Sequence, residues 1–240
     1  MKIETIKDHL SYSSVNKYLQ CPKRWHYDYV IAPGKMIKSL ALGLGSVYHK
    51  ALEILYTTGD MEVGRKMLVD FASENGRFAQ KEIKAISTCF ENYCREIYPQ
   101  YQSRVEKVEL IGRVDIAGVS VPLEYRMDLV TTDGVIVDHK TVGRMKPEIE
   151  YSFQFDLYAY AYYKVYRVFP KRVEYHNAYK SNGGVEVVGK SPRISDTFKA
   201  IECVSGALKG IENDIFMPKY GKQCNFCPHK EICDRQFGSI

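Results

Sequence analysis

The stretch Glu124-Tyr-Arg-Met-Asp128-Leu-Val-Thr-Thr-Asp-Gly134-Val-Ile-Val-Asp138-His-Lys140-Thr141 decides how the rest of the chain is read. Two runs rich in branched apolar residues flank Thr132-Asp133-Gly134, and an Asp-Gly pair between such runs marks a tight β-hairpin. Side chains alternate faces along a strand, so Asp138 and Lys140 point one way and His139 the other. Pairing across the turn brings Asp128 toward the Asp138 face. Two carboxylates beside one ammonium suit a divalent cation next to a phosphate. The carboxylates hold Mg²⁺ or Mn²⁺ and leave positions for water and substrate, and the lysine holds the water or neutralises developing charge.

Composition narrows the class. The chain has 240 residues, 45% apolar and 26% charged, enough to bury a full core in an ordinary globular protein. A net charge of +5 favours polyanionic partners modestly. The nineteen tyrosines are flat, polar-tipped surfaces that serve packing or the stacking of bases. Met1 to Leu10 is charged and lacks the apolar core of a secretion signal, and no apolar run reaches membrane-spanning length, so a cytoplasmic chain is expected. Seven cysteines in such a chain point to thiols or metal ligands rather than disulfides.

Upstream of the hairpin, Ser13 or Ser14 caps a helix that runs toward Val30 and is broken or restarted by Pro22. Leu42 to Glu53 has a helical apolar pattern with glycines near its start, and Asp60 to Tyr101 reads as two helices broken near Asn75-Gly76. This helical stretch is either a cover over the core or an arm that guides DNA. Cys89 and Cys94, five apart, read as core. Val105 to Ala117, Val119 to Val130 and Val135 to Lys140 form a meander, in which Glu109 can lie near the cation-binding face but is read first as a surface residue. Downstream, Ser152 to Phe169 is a helix that sets Gln154 and Tyr158 on one face. A second hairpin through Ser181-Asn-Gly-Gly184 and a helix from Ile194 to Asn213 follow. This order gives a mixed α/β fold with a central mixed sheet flanked by helices.

Near the end stands Cys224-x-x-Cys227-Pro-x-x-x-x-Cys233. Two thiolates on one turn and a third after five intervening residues chelate one centre, leaving one ligand to be found. Cys21 in Cys21-Pro-Lys-Arg-Trp25, or His229, can supply it.

Asp128 followed by Asp138-x-Lys140 across a hairpin resembles the PD-(D/E)xK nuclease core, and Val-Asp-His-Lys-Thr is similar to RecB-type exonucleases within it. Gly45-x-x-x-His49-x-x-Leu52-Glu53 resembles the family's helix motif, and Gln154-x-x-x-Tyr158 its next motif. Ser13-x-x-x-x-Tyr18-x-x-Cys21-Pro, with the three terminal cysteines, resembles the iron-sulfur members, including AddB-type and CRISPR-associated exonucleases. Gly112-Arg-Val-Asp115 imitates the family's Gly-x-x-Asp, whereas Tyr125 stands where that glycine usually precedes the aspartate. Asp128 is the better ligand, because it lies one hairpin from Asp138.

The resemblance implies a restriction-endonuclease-like core and a single nuclease domain over 1–240. Residues 11–104 would be mainly helical cover, 105–213 the nuclease core, and Cys21 plus 217–237 an iron-sulfur staple. It implies that His49, Asp128, Asp138 and the carbonyl of His139 hold Mg²⁺ or Mn²⁺. Asp128, Asp138, Lys140, Gln154 and Tyr158 would serve in-line hydrolysis that leaves a 5′-phosphate, and Cys21, Cys224, Cys227 and Cys233 would hold a [4Fe-4S] cluster, with Zn²⁺ as the rival. The expected activity is a metal-dependent DNA exonuclease on single strands or DNA ends, with recombination, CRISPR or phage replication proteins as partners. The alternatives are a non-cleaving DNA-binding or assembly subunit and a zinc-stabilised nucleic-acid-binding module. No Gly-x-x-x-x-Gly-Lys-Ser/Thr motor motif is present.

Overall fold

A computed structural model describes residues 8–31, 40–75, 80–143 and 148–238. The chain divides into two compact units, one from Met1–Ile37, Arg113–Glu124 and Phe198–Ile240, the other from Lys38–Gly112 and Tyr125–Thr197.

The second unit carries the hairpin read from the sequence. Strand β3 (Leu123–Thr131) enters this unit at Tyr125 and pairs antiparallel with β4 (Val135–Val142). Gly134 takes a φ of +81° in the turn, a conformation a side chain would resist, which is why Asp-Gly stands there. Strand β2 (Val105–Val114) pairs with β3. Strand β5 (Arg172–Tyr179) runs parallel to β4, and β6 (Val185–Lys190) antiparallel to β5. The outcome is the mixed central sheet expected of a restriction-endonuclease-like fold.

Helices cover this sheet. Helix α3 (Leu40–Thr58), α4 (Met61–Asn75) and α5 (Gln80–Glu96) precede it, and α7 (Phe153–Tyr166) joins β4 to β5. A short helix, α6 (Tyr98–Tyr101), leads into β2. Tyr48, Leu52 and Leu55 of α3 and Ile86, Phe90 and Tyr93 of α5 pack on Leu129, Val135 and Val137 of the sheet. Each fully buried large apolar side chain contributes about 1.5–3 kcal/mol, and Phe90→Ala would cost about 3–5 kcal/mol by cavity formation. Cys89 and Cys94 are buried in this core. Helix α7 starts where Ser152 accepts a hydrogen bond from Phe155 N–H and ends at Arg167 in the left-handed region.

In the first unit, β1 (Leu10–Ser11) pairs parallel with Leu123 and Glu124. Ser11, rather than Ser13 or Ser14, caps α1 (Tyr12–Gln20), through a capping box with Ser14. The chain breaks at Cys21, and Pro22 opens α2 (Pro22–His26), where its missing N–H costs nothing. A π turn over Tyr27–Ile31 follows. Helix α8 (Ile194–Glu212) continues into this unit, where the Tyr18 hydroxyl donates to Ile215 C=O at 2.7 Å. A 3₁₀ turn at Lys222–Phe226 and α9 (Lys230–Gly238) close the described chain. Among the described residues no helix is long and apolar enough to cross a membrane.

Candidate active site

Strand alternation on β4 builds the site. Val137 and His139 face α3 and α5, and the His139 ring lies against Tyr56 and Tyr93 at centroid distances of 6.2 and 5.6 Å. Asp138 and Lys140 face α7. There the Gln154 side-chain amide donates from Nε2 to Asp138 Oδ1 at 2.7 Å and to the Tyr158 hydroxyl at 2.9 Å. Its Oε1 accepts from Lys140 Nζ at 3.0 Å, and Lys140 Nζ also lies 2.5 Å from Asp138 Oδ2. One turn of helix spacing thus converts Gln154-x-x-x-Tyr158 into a brace on both Asp138 and Lys140.

Asp128 on β3 connects this brace to α3. Its Oδ2 accepts from the His139 backbone N–H at 2.7 Å and lies 3.4 Å from His49 Nδ1. Glu109 completes the group: ligand atoms of His49, Glu109 and Asp128 all lie within 4.8 Å of one another. This corrects the surface reading of Glu109, whose side chain is only 22% exposed. The cause is a local break in strand geometry, since Glu109 has a φ of +50° in mid-strand. A non-glycine residue there costs about 1–3 kcal/mol, and it persists here where it aims a carboxylate at a cluster of ligands. Asp138 lies outside that trio, turned to Lys140 and Gln154.

Asp115 is exposed and outside the cluster. Gly112 has a packing role instead: a Cβ there would overlap the Tyr125 hydroxyl. The glycine and the tyrosine that confuse the motif therefore fit each other. The buried Tyr125 occupies the space that Gly112 leaves.

The trio lines a cleft of about 450 Å³ with the Gly45–Glu53 part of α3, Arg126 and Thr141. Burial dominates at Asp138, and although the Lys140 ammonium opposes it, the carboxyl sits well above its usual range, with the Asp128 charge adding to the rise. At Asp128 burial also pushes upward, but the His49 hydrogen bond and charge prevail and hold it below the usual range. Burial lowers His49, and Asp128 more than offsets this, so its imidazole is raised. Burial likewise lowers Lys140, and Asp138 raises it further than that. Burial and then Asp128 raise Glu109. Carboxylates crowded and desolvated in this way are held ionised most effectively by a cation. An imidazole with two carboxylates is a donor set for a divalent metal, and it fits one.

The cysteines gather elsewhere, within the first unit. Burial raises the Cys233 thiol, and Cys21, Cys227 and Cys224 are near enough to raise it further. Lys219 bridges two of them: its N–H donates to Cys21 Sγ at 3.4 Å, and its C=O accepts from Cys224 Sγ at 3.8 Å. His229 is engaged differently, with Nε2 2.6 Å from Asp28, whose other oxygen lies 2.7 Å from Lys17 Nζ.

Residues 9–234 match the family model of the PD-(D/E)XK nuclease superfamily. The chain belongs to that superfamily. The structure of a provisionally assigned exonuclease from Eubacterium rectale is similar, with a TM-score of 0.62 at 15% identity over 97% of this chain and 94% of that one. At that identity the likeness is one of fold. The structure of SSO0001 aligns at 10% identity over 92% of each chain, with a TM-score of 0.41. No curated protein matches the sequence. Members of the PD-(D/E)XK superfamily use divalent metals, and the His49, Glu109 and Asp128 cluster is the candidate site for one here.

Proposed function

We propose that this PD-(D/E)XK protein is a metal-dependent DNA exonuclease of the RecB-like kind that acts on single strands or DNA ends. The observation that carries the proposal is the Gln154 bridge, which holds Asp138 and Lys140 together beside the His49, Glu109 and Asp128 trio.

His49, Glu109 and Asp128 would hold Mg²⁺ or Mn²⁺, with Asp138 and the His139 carbonyl as further donors. The metal supplies Lewis acidity and a lowered water pKa at neutral pH. Lys140 holds the attacking water and neutralises charge growing on the phosphoryl oxygens as the water attacks in line. Gln154 keeps the ammonium and the Asp138 carboxylate in one geometry, and Tyr158 fixes the amide. The 5′-phosphate stays on the released product, and no covalent enzyme intermediate is needed.

The same reading makes residues 1–240 one nuclease domain, stapled by a [4Fe-4S] cluster on Cys21, Cys224, Cys227 and Cys233. Four neighbouring thiols in one unit support it. Such an enzyme would work in the cytoplasm with recombination, CRISPR or phage replication proteins.

Digestion of end-labelled single- and double-stranded DNA, with open and blocked ends, tests the proposal. Mn²⁺-dependent release of short 5′-phosphorylated products from open ends is expected. Intact DNA under every condition would defeat it.

A further inference from the structure

Two cations stand in the candidate cleft, each on a carboxylate of that cleft: Lys50 Nζ lies 2.6 Å from Glu53 Oε1, and Arg126 Nε lies 3.4 Å from Glu109 Oε2. The two pairs differ in what else the carboxylate does. Glu109 also belongs to the trio of candidate metal ligands, so its charge is claimed twice. Arg126 is 66% exposed, and its guanidinium rests against Glu109 at the cleft wall.

We propose that Arg126 is a phosphate-binding residue that rests on Glu109 until a divalent cation takes that carboxylate, so that one arginine couples cation binding to nucleic-acid binding. The inference rests on the nuclease reading above. An exposed arginine–carboxylate pair is a weak contact in water, whereas a divalent ion held by an imidazole and two carboxylates is a strong competitor for Glu109. Once displaced, the planar guanidinium offers paired N–H donors that match phosphate oxygens. Before displacement, the carboxylates of Glu109, Asp128 and Glu53 leave the cleft repellent to a phosphate backbone, and Arg126 is occupied in offsetting them. The cleft is therefore prepared for nucleic acid only when charged with metal, and Arg126 is the residue that changes partner.

The test is fluorescence anisotropy of a labelled single-stranded oligonucleotide in EDTA and in Ca²⁺, with gels to exclude cleaved strand. The wild type is compared with Arg126→Gln, Glu109→Gln and the double variant. Wild-type binding is expected to tighten about tenfold or more with Ca²⁺. Arg126→Gln should lose most of that gain while changing little in EDTA, and its salt dependence in Ca²⁺ should fall by about one phosphate contact. In the Glu109→Gln background the arginine is already released, so the further Arg126→Gln change should now weaken binding in EDTA as well. Unchanged thermal melting of Arg126→Gln, expected for an exposed side chain, confirms that folding is not being measured.

Equal losses for Arg126→Gln in EDTA and Ca²⁺ would reduce Arg126 to a fixed charge and overturn the coupling, and so would a full Ca²⁺ gain in that variant. Wild-type binding without any Ca²⁺ gain would overturn the coupling alone. Failure of the wild type to bind DNA in either condition would overturn the nuclease reading with it.

Discussion

The backbone N–H of His139 donates to Asp128 Oδ2 at 2.7 Å, so the residue between Asp138 and Lys140 fixes the carboxylate on the neighbouring strand. Its side chain works on the other face, where the ring is buried against Tyr56, Tyr93 and His176. One strand position thereby ties the candidate cation site to the core beneath it. Because the donor to Asp128 is main chain, the tie survives a side-chain substitution at position 139 that keeps the β4 ladder.

His49 and protons should compete with metal. Asp128 raises the imidazole above its ordinary range even though burial lowers it, and a metal ligand must be neutral. Mn²⁺ affinity should therefore fall as pH drops through and below the neutral range, with protons released on binding. Calorimetry in buffers of different ionisation enthalpy measures this. A pH-independent affinity would remove His49 from the ligand set, and His49→Ala should flatten the profile.

Gln154→Ala should damage both halves of the brace. It leaves Asp138 Oδ1 and Lys140 without their shared amide, at a cost of about 1–3 kcal/mol in stability. Turnover should fall by roughly 10²-fold, as misplacement of a catalytic group does, with a smaller change in DNA affinity. Steady-state kinetics beside a denaturation curve separate the two effects.

Much of this site is legible in the sequence because strand period is a local rule. Asp138 and Lys140 together, with His139 opposite, follow from alternation, and the Asp133-Gly134 turn places Asp128 beside them. Pro22 likewise announces the restart after Cys21. Glu109 is legible only as the less favoured of two readings, because alternation on β2 is interrupted by its own left-handed backbone and its approach to Asp128 depends on pairing with β3. The run Glu109-Leu-Ile-Gly112 contains no turn signal that marks the interruption. The role of Gly112 is hidden for a similar reason: the side chain that fills its space, Tyr125, belongs to the next strand. The assembly of the first unit from three separated segments also rests on long-range contacts that no local pattern encodes.

Acid should unfold the protein through a buried pair behind the site. Burial raises Glu174, but hydrogen bonds involving His176, Tyr101 and Arg172 prevail and hold its carboxyl down to about 2. Its depressed folded value means the stabilisation is complete above the ordinary glutamate range and is lost as pH falls from there toward about 2. His176, lowered chiefly by burial, acts in the same direction from its own ordinary range downward. Glu174→Gln should cost on the order of 2–3 kcal/mol at pH 7 and almost nothing near the acid limit. Urea denaturation across pH checks this; a difference that stays constant with pH would contradict it.

Under the proposed function, a cation held by His49, Glu109 and Asp128 acts with Lys140 on a DNA backbone. The most direct measurement of this is Mn²⁺ binding, followed by electron paramagnetic resonance, together with cleavage of end-labelled DNA by the wild type and Lys140→Ala. Comparable Mn²⁺ binding by both proteins is expected, with cleavage by the wild type and a rate at least about 10²-fold lower in the variant, the scale set by loss of one electrostatic group. A wild type that binds Mn²⁺ and leaves DNA intact, or a Lys140→Ala variant that cuts at the wild-type rate, would contradict it.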